Sequence, residues 1–154
     1  MNTKYEFVPG DEITIAPGRT VKRIRALVAI SYFCSAGSLG GYIESEKTLD
    51  TSGNAWVYGN AQVSGDAWVS KTRHYLTVGP IGSEDRTVTI CRTKTYGTTG
   101  HYINAGCWTG TVDQLAERVA SAWPDLSEKK RTRYRAEYEA VIALARPRIE
   151  RWVK

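Results

Sequence analysis

The sequence predicts a mixed β and α protein of two modules. Capping strands lead into a short β-helix over residues 1–72, and a small antiparallel sheet packed by two C-terminal helices occupies residues 73–154. Three observations carry this reading. A six-residue phrase recurs three times from Gly53 to Ser70, as GNAWVY, GNAQVS and GDAWVS. Short alternating apolar runs punctuated by glycine extend from Tyr75 to Ala105. From Thr111 onward, apolar positions fall at helical spacing behind N-terminal capping residues.

In chain order, Pro9-Gly10 and Pro17-Gly18 are turn signals that bracket an alternating strand, Glu12 to Ile15. Thr20 to Leu27 is a second strand, basic on one side, that runs into Val28-Ala29-Ile30 and ends near Ser35-Ala36-Gly37. Gly40-Gly41-Tyr42-Ile43 then opens the repeat region. There Val57, Val63 and Val69 recur every six residues, so each strand is very short before the chain turns a corner. Gly-Asn and Gly-Asp sit at those corners, where left-handed backbone must be tolerated. The valines fill the faces, Ala61 and Ala67 fit near the corners, and Ile43 and Leu49 supply an earlier rung. This pattern reads as a β-helix, too short to stand uncovered. Trp56, Tyr58 and Trp68 alternate with the inward valines and so point outward, which makes them the candidate oligomer interface.

In the second module, Tyr75 to Val78, Thr87 to Arg92 and His101 to Ala105 read as an antiparallel meander with one buried face, and Lys94 to Gly100 as a hairpin loop. Thr111 and Gln114 form a capping box that starts a helix carrying Val112, Leu115 and Val119, and Trp123-Pro124 ends it. A second helix follows the cap offered by Asp125 to Glu128. Its stripe of Tyr134, Tyr138, Val141, Ile142 and Ala145 faces the sheet. Arg131 and Arg135 flank that stripe, Arg133 points to solvent, Pro147 kinks or restarts the helix, and Trp152 docks its end.

The net charge is +5, and it is local. Residues 128–154 hold nine Lys/Arg against four Glu, so an anionic partner is drawn to that segment or its neighbours. Cys34, Cys91 and Cys107 are widely spaced with no CxxC, which predicts buried thiols rather than a disulfide framework or a zinc site. No apolar run is long enough to span a bilayer, and Met1 to Gly10 has no leader pattern, so a cytoplasmic chain is expected, with no membrane partner.

Catalytic signals are sparse. His74 and His101 are the only histidines, neither in an HxxxD or HExxH setting, and no GxSxG or Walker loop is present. Gly37-Ser38-Leu39-Gly40-Gly41 is followed by no Lys-Ser/Thr pair. The expectation is a protein without catalytic residues, metal or cofactor.

Residues 19–70, from the opening Val21 to Gly41 through GNAWVYGNAQV, resemble the hexapeptide-repeat left-handed β-helix proteins of bacteria and phages. That resemblance implies a left-handed coil and a homo-oligomer, a trimer or a multiple of dimers or trimers. Acyltransferases of that family need long coils, a catalytic histidine and subunit clefts, whereas this chain offers a short coil with His74 just beyond it. Residues 75–146 resemble the C-terminal module of phage proteins that sequester nucleotide immune signals, the Thoeris anti-defence sponges. The resemblance rests on the turn Val78 to Ser83, the strand ending Cys91-Arg92-Thr93, the turn Gly106 to Thr111 and the Tyr-rich second helix. It implies non-enzymatic binding of a small anionic cyclic nucleotide inside an infected or lysogenic host cell. Trp108 stands where that family has Phe, keeping a ring. Glu84 stands where it has a basic residue, with Arg86 nearby as the substitute.

The residues of the second module have chemistry suited to such a ligand. Trp108 offers a π-face to a base, a contact worth about 1–3 kcal/mol, or else caps the core. Arg131, Arg135, Arg86 and Arg92 offer planar forks to phosphate, or else the Arg131 and Arg135 pair lies its stems over the apolar stripe. Ser83, otherwise a turn residue, and Asn104 complete the candidate ligand set, beside the helix N-terminus at Thr111. The competing reading is an oligomeric structural or protein-binding inhibitor module. General nucleic-acid binding is disfavoured, because the charge sits in one segment and no known fingerprint is present.

Overall fold

The computed structural model describes residues 1–15, 18–32, 34–94, 100–106 and 108–153. Two four-stranded sheets are followed by two helices. The first sheet runs β1 (Tyr5–Ile15), β2 (Arg19–Ala26), β3 (Leu39–Ile43) and β4 (Gln62–Val63) in that order. The second runs β5 (Tyr75–Ile81), β6 (Arg86–Arg92), β7 (His101–Ala105) and β8 (Trp108–Gly110), with α1 (Val112–Ala120) and α2 (Glu128–Trp152) after it. Every neighbouring pair is antiparallel except β3 with β4.

The expected β-helix, left-handed or otherwise, is corrected by this arrangement. Residues 53–70 contribute only the two-residue strand β4, paired through Tyr42 with Gln62 and Ile43 with Val63, and two isolated bridges, a parallel one between Leu49 and Val69 and an antiparallel one between Ala67 and Thr93. The reason lies in where the repeat's backbone hydrogen bonds go. On one side they meet residues 41–50: Gly41 N–H donates to Val57 O (2.7 Å), Tyr42 N–H to Ala61 O (2.8 Å) and Asp50 N–H to Val69 O (2.9 Å). On the other side one N–H meets second-sheet backbone, Trp68 N–H donating to Arg92 O at 2.8 Å, and three meet side-chain hydroxyls. Trp56 N–H donates to Thr72 Oγ1 (3.2 Å), Tyr58 N–H to Tyr75 Oη (2.9 Å) and Gln62 N–H to Thr89 Oγ1 (2.9 Å). A solenoid needs another rung of backbone there, and this chain supplies its second sheet instead.

Burial within the repeat follows the valine spacing. Val57, Val63 and Val69 are fully buried with Ala61 and Ala67, and the corner residues Gly53, Gly59 and Gly65 have φ of +68°, +58° and +67°. Trp56 does not follow the alternation. It is 1 % exposed, packed edge-on against Tyr5 at 6.3 Å, so its outward, interface-forming placement is corrected to a core one. Gly40 makes the room, since a Cβ there would stand 2.7 Å from Trp56 Cζ2 and 2.7 Å from Ile24 Cγ1.

In the first sheet β1 is far longer than Glu12 to Ile15. It absorbs Pro9-Gly10 as an irregularity between Phe7 and Glu12, with Gly10 at φ +77°. In the second sheet the strands expected from Tyr75, Thr87 and His101 are present, and β8 is an addition. Residues 95–99 of the expected Lys94 to Gly100 loop, and Cys107, lie outside the described residues. The sheet buries both faces, not one. Val88, Ile90, Ile103 and Ala105 pack under α1 and α2, while Tyr75 and Cys91 join the core of the first sheet. Burial pushes the Cys91 thiol up to about 12.

Thr111 Oγ1 accepts from Gln114 N–H, and Gln114 Oε1 accepts from Thr111 N–H, so the capping box closes at the start of α1. α2 continues through Pro147 without restarting, held on either side by buried Ala145 and Ile149. No helix is long and apolar enough to cross a membrane.

Candidate ligand cleft

Three turns converge beside the N-terminal half of α2 to form a cleft of about 350 Å³. The β5–β6 turn brings Ser83, Glu84 and Arg86. The β7–β8 turn brings Ala105 and Trp108. α1 and the loop after it bring Leu115, Arg118, Val119 and Trp123, and Tyr138 closes the floor from α2.

Glycines set this geometry. Gly106, at φ +67°, lies so close to Arg86 Nη1 that any side chain there would overlap the guanidinium. Gly110 leaves the space taken by the Trp108 ring, where a Cβ would come within 2.8 Å of Cζ2. Gly82 does the same for Tyr138, whose Cε2 would be 2.7 Å away.

Arg86 is pinned by groups that include the Ala105 carbonyl, to which Nη1 donates at 2.9 Å, and the Glu84 carboxylate, with which Nη2 pairs. Arg118 places its guanidinium carbon 5.8 Å from the Trp108 ring centre. Trp123, with an uncommon φ of +57°, donates from Nε1 to Ser83 Oγ at 2.8 Å and tilts against Tyr134 and Tyr138 at 5.6 and 5.8 Å. Burial raises the Tyr138 phenol, and the positive charge of Arg86 opposes that rise. The cleft therefore combines two aromatic walls, two guanidinium groups and one carboxylate that already engages one of them.

Of the residues expected to bind ligand, Trp108, Arg86 and Ser83 come together here. The others do not. Arg131 Nη1 donates to Pro124 O and Arg135 Nη2 to Ala122 O, both at 3.2 Å, so this pair fastens the α1–α2 loop and does not line the cleft. Arg135 stands behind the wall formed by Ala122, with its Nε buried and without a hydrogen-bond partner. Arg92 lies on Trp68, with its guanidinium carbon 4.2 Å from the ring centre. Asn104 is 1 % exposed and alternates with Ile103 and Ala105, so it faces the first sheet and not the cleft. Of the candidate interface residues besides Trp56, Tyr58 is half-buried and Trp68 is 38 % exposed.

Sequence reasoning passed over Arg118 and Trp123, and placed Tyr138 only in the helix stripe. A signal for Arg118 was present: it follows Leu115 by three residues on a helix whose first turn sits beside Trp108. Nothing local announces Trp123, whose position depends on the loop path.

The two histidines have structural partners. His101 Nε2 accepts from Val112 N–H at 2.9 Å, occupying an otherwise open donor at the start of α1. His74 Nδ1 accepts from Lys71 N–H (3.0 Å) and Ser70 N–H (3.2 Å), and burial together with Arg92 and Lys71 lowers it to about 4. Among the described residues no group of His, Cys, Asp or Glu is placed to hold a metal ion.

No family model, curated protein or solved structure matches this chain. The fold and the cleft define a class in physical terms: two β-sheets with helices over the second, and a concave site walled by tryptophan and arginine.

Proposed function

We propose that this chain is a non-enzymatic binding protein that takes up a small anionic nucleotide in the cleft between the β5–β6 turn, Trp108 and α1. The observation that carries the reading is the pairing of Trp108 with Arg118 on one wall and Arg86 on another. A base stacks on an aromatic face for about 1–3 kcal/mol, while guanidinium forks hold phosphate oxygens in a site partly withdrawn from water. The cleft volume suits a ligand of nucleotide size. The engaged ring nitrogens of His74 and His101 favour binding over catalysis. The resemblance of residues 75–146 to nucleotide sponges suggests sequestration of a cyclic nucleotide signal as the outcome.

The test is incubation of the purified protein with a panel of cyclic nucleotides and cyclic ADP-ribose isomers, with chromatography of free ligand before and after heat denaturation. Depletion followed by recovery of unaltered ligand supports the reading. It should be lost in Trp108→Ala/Arg118→Ala and kept in Arg131→Ala. An altered product would replace it with an enzymatic one, and no depletion across the panel would remove it.

A further inference from the structure

A second surface, away from the cleft, gathers positive charge from separate parts of the chain. The 3₁₀ turn Thr72–His74 and the residue before it bring Lys71 and Arg73. The end of β6 and the residues after it bring Arg92 and Lys94. The last turns of α2 bring Arg148 and Arg151. In the segments that build this band, 66–74, 92–94 and 148–152, six Lys/Arg stand against Asp66 and Glu150.

The placement is fixed by named contacts. Arg148 Nη1 donates to Tyr75 O and Trp152 Nε1 to Arg73 O, both at 3.0 Å, which fastens the end of α2 to the start of β5. Arg92 donates from Nη2 to Ser70 Oγ (3.0 Å) and from Nε to Trp68 O (3.2 Å) while stacked on the Trp68 ring. Lys94 Nζ lies 5.5 Å from the centre of the same ring. The five ion pairs among the described residues use other cations, so Lys71, Arg73, Arg148 and Arg151 have no carboxylate partner there. Like charge is felt across the band: Arg148 is lowered by burial first and then by Arg73 and Arg151, and His74 by burial and then by Arg92 and Lys71. A fold that holds cations against one another gains when an anion comes between them.

We infer that this band is a binding surface for single-stranded nucleic acid, with the Lys71, Arg73, Arg148 and Arg151 side chains on the phosphates and the exposed Trp68 ring under a base. Two features favour a nucleic acid strand over an acidic protein. Two cations, Arg92 and Lys94, lie against the Trp68 ring, and that large ring is left 38 % exposed on the same surface. The concentration of charge in residues 128–154, which counted against nucleic-acid binding in the linear sequence, is offset in three dimensions by the cations of residues 71–94.

The experiment is fluorescence anisotropy of a labelled 20-nucleotide oligo-dT and a labelled hairpin duplex, titrated with the full chain across a salt series. Single-strand affinity should fall with salt at a log–log slope of about −0.7 per phosphate engaged, near −3 for four cations. Arg73→Glu/Arg151→Glu should weaken binding at least ~10-fold, and Trp68→Ala about 5–10-fold, with unchanged thermal unfolding. Lys129→Glu/Lys130→Glu, the same change of net charge elsewhere, should leave it within about twofold. Trp108→Ala should also leave it unaltered, which separates this surface from the cleft. Equal loss in the two charge-reversal pairs, competition by polyglutamate as effective as by oligo-dT, or no binding at low salt would each overturn the inference.

Discussion

Trp56→Ala separates the core placement of that residue from an interface one. The ring is 1 % exposed, stands against Tyr5 and fills the space left by Gly40. Removing ~200 Å² of buried aromatic surface at about 25 cal/mol per Å² gives ~5 kcal/mol as an upper value. The cost of such truncations is about 3–5 kcal/mol when the surroundings only partly collapse. For a chain of this length, ~4 kcal/mol corresponds to a Tm lower by roughly 8–16 °C. Urea unfolding followed by far-UV circular dichroism, which does not rely on the tryptophan signal, reads the change directly. A companion variant, Gly40→Ala, should also destabilise, by about 1–3 kcal/mol, because its Cβ would meet Trp56, Ile24 and the Val57 carbonyl. The two changes should be non-additive, since Trp56→Ala removes one of those collisions. If Trp56→Ala left the unfolding free energy within about 1 kcal/mol of the parent and instead changed the mass in solution, the core placement would be wrong.

Glu84→Gln should raise affinity for an anionic cleft ligand about 2–5-fold by freeing the Arg86 guanidinium from its carboxylate; calorimetric titration checks it, and weaker binding would show that Glu84 positions Arg86 instead of competing with ligand. His74 makes stability depend on pH between its ordinary 6.5 and about 4, because over that range the unfolded chain takes up a proton that the folded chain refuses. Its contribution is therefore complete above pH 6.5, is lost as pH falls through the window and changes no further below about 4. With the ring partly solvated the loss is about 1 kcal/mol, read as the difference between parent and His74→Asn urea midpoints at pH 7 and pH 4.5. A difference independent of pH would refute it.

Features legible in the sequence are those determined within a few residues. The Thr111–Gln114 capping box depends on three-residue spacing, and the positive φ of Gly53, Gly59 and Gly65 depends on the corner residues themselves. Val57, Val63 and Val69 reveal their burial by recurrence. What failed depends on distant partners. Trp56 is buried because Gly40 leaves room, which no alternation within the repeat encodes. Arg131 and Arg135 sit where the helix wheel puts them, yet their acceptors are carbonyls of a loop whose path was unknown. Asn104 lies on a strand as expected but turns away from the cleft, because a sheet covered on both sides leaves its alternate residues buried against the first sheet. Part of the cleft was thus visible as residue types, including the helical spacing of Arg118 beside Trp108, while the wall formed by Trp123 required tertiary geometry.

The hydroxyls of Thr72, Tyr75 and Thr89, which receive N–H groups from the three-phrase segment, also govern its length. Duplicating one phrase would carry six more residues past a set of acceptors that cannot repeat, because each hydroxyl belongs to a different point of the following turn and sheet. The inserted N–H groups would arrive with no matching partner, and the chain beyond would be displaced from both cores. Growth by tandem copying, the ordinary route by which repeat proteins lengthen, is closed to this fold. Swapping one phrase for another of equal length is the variation its architecture leaves open.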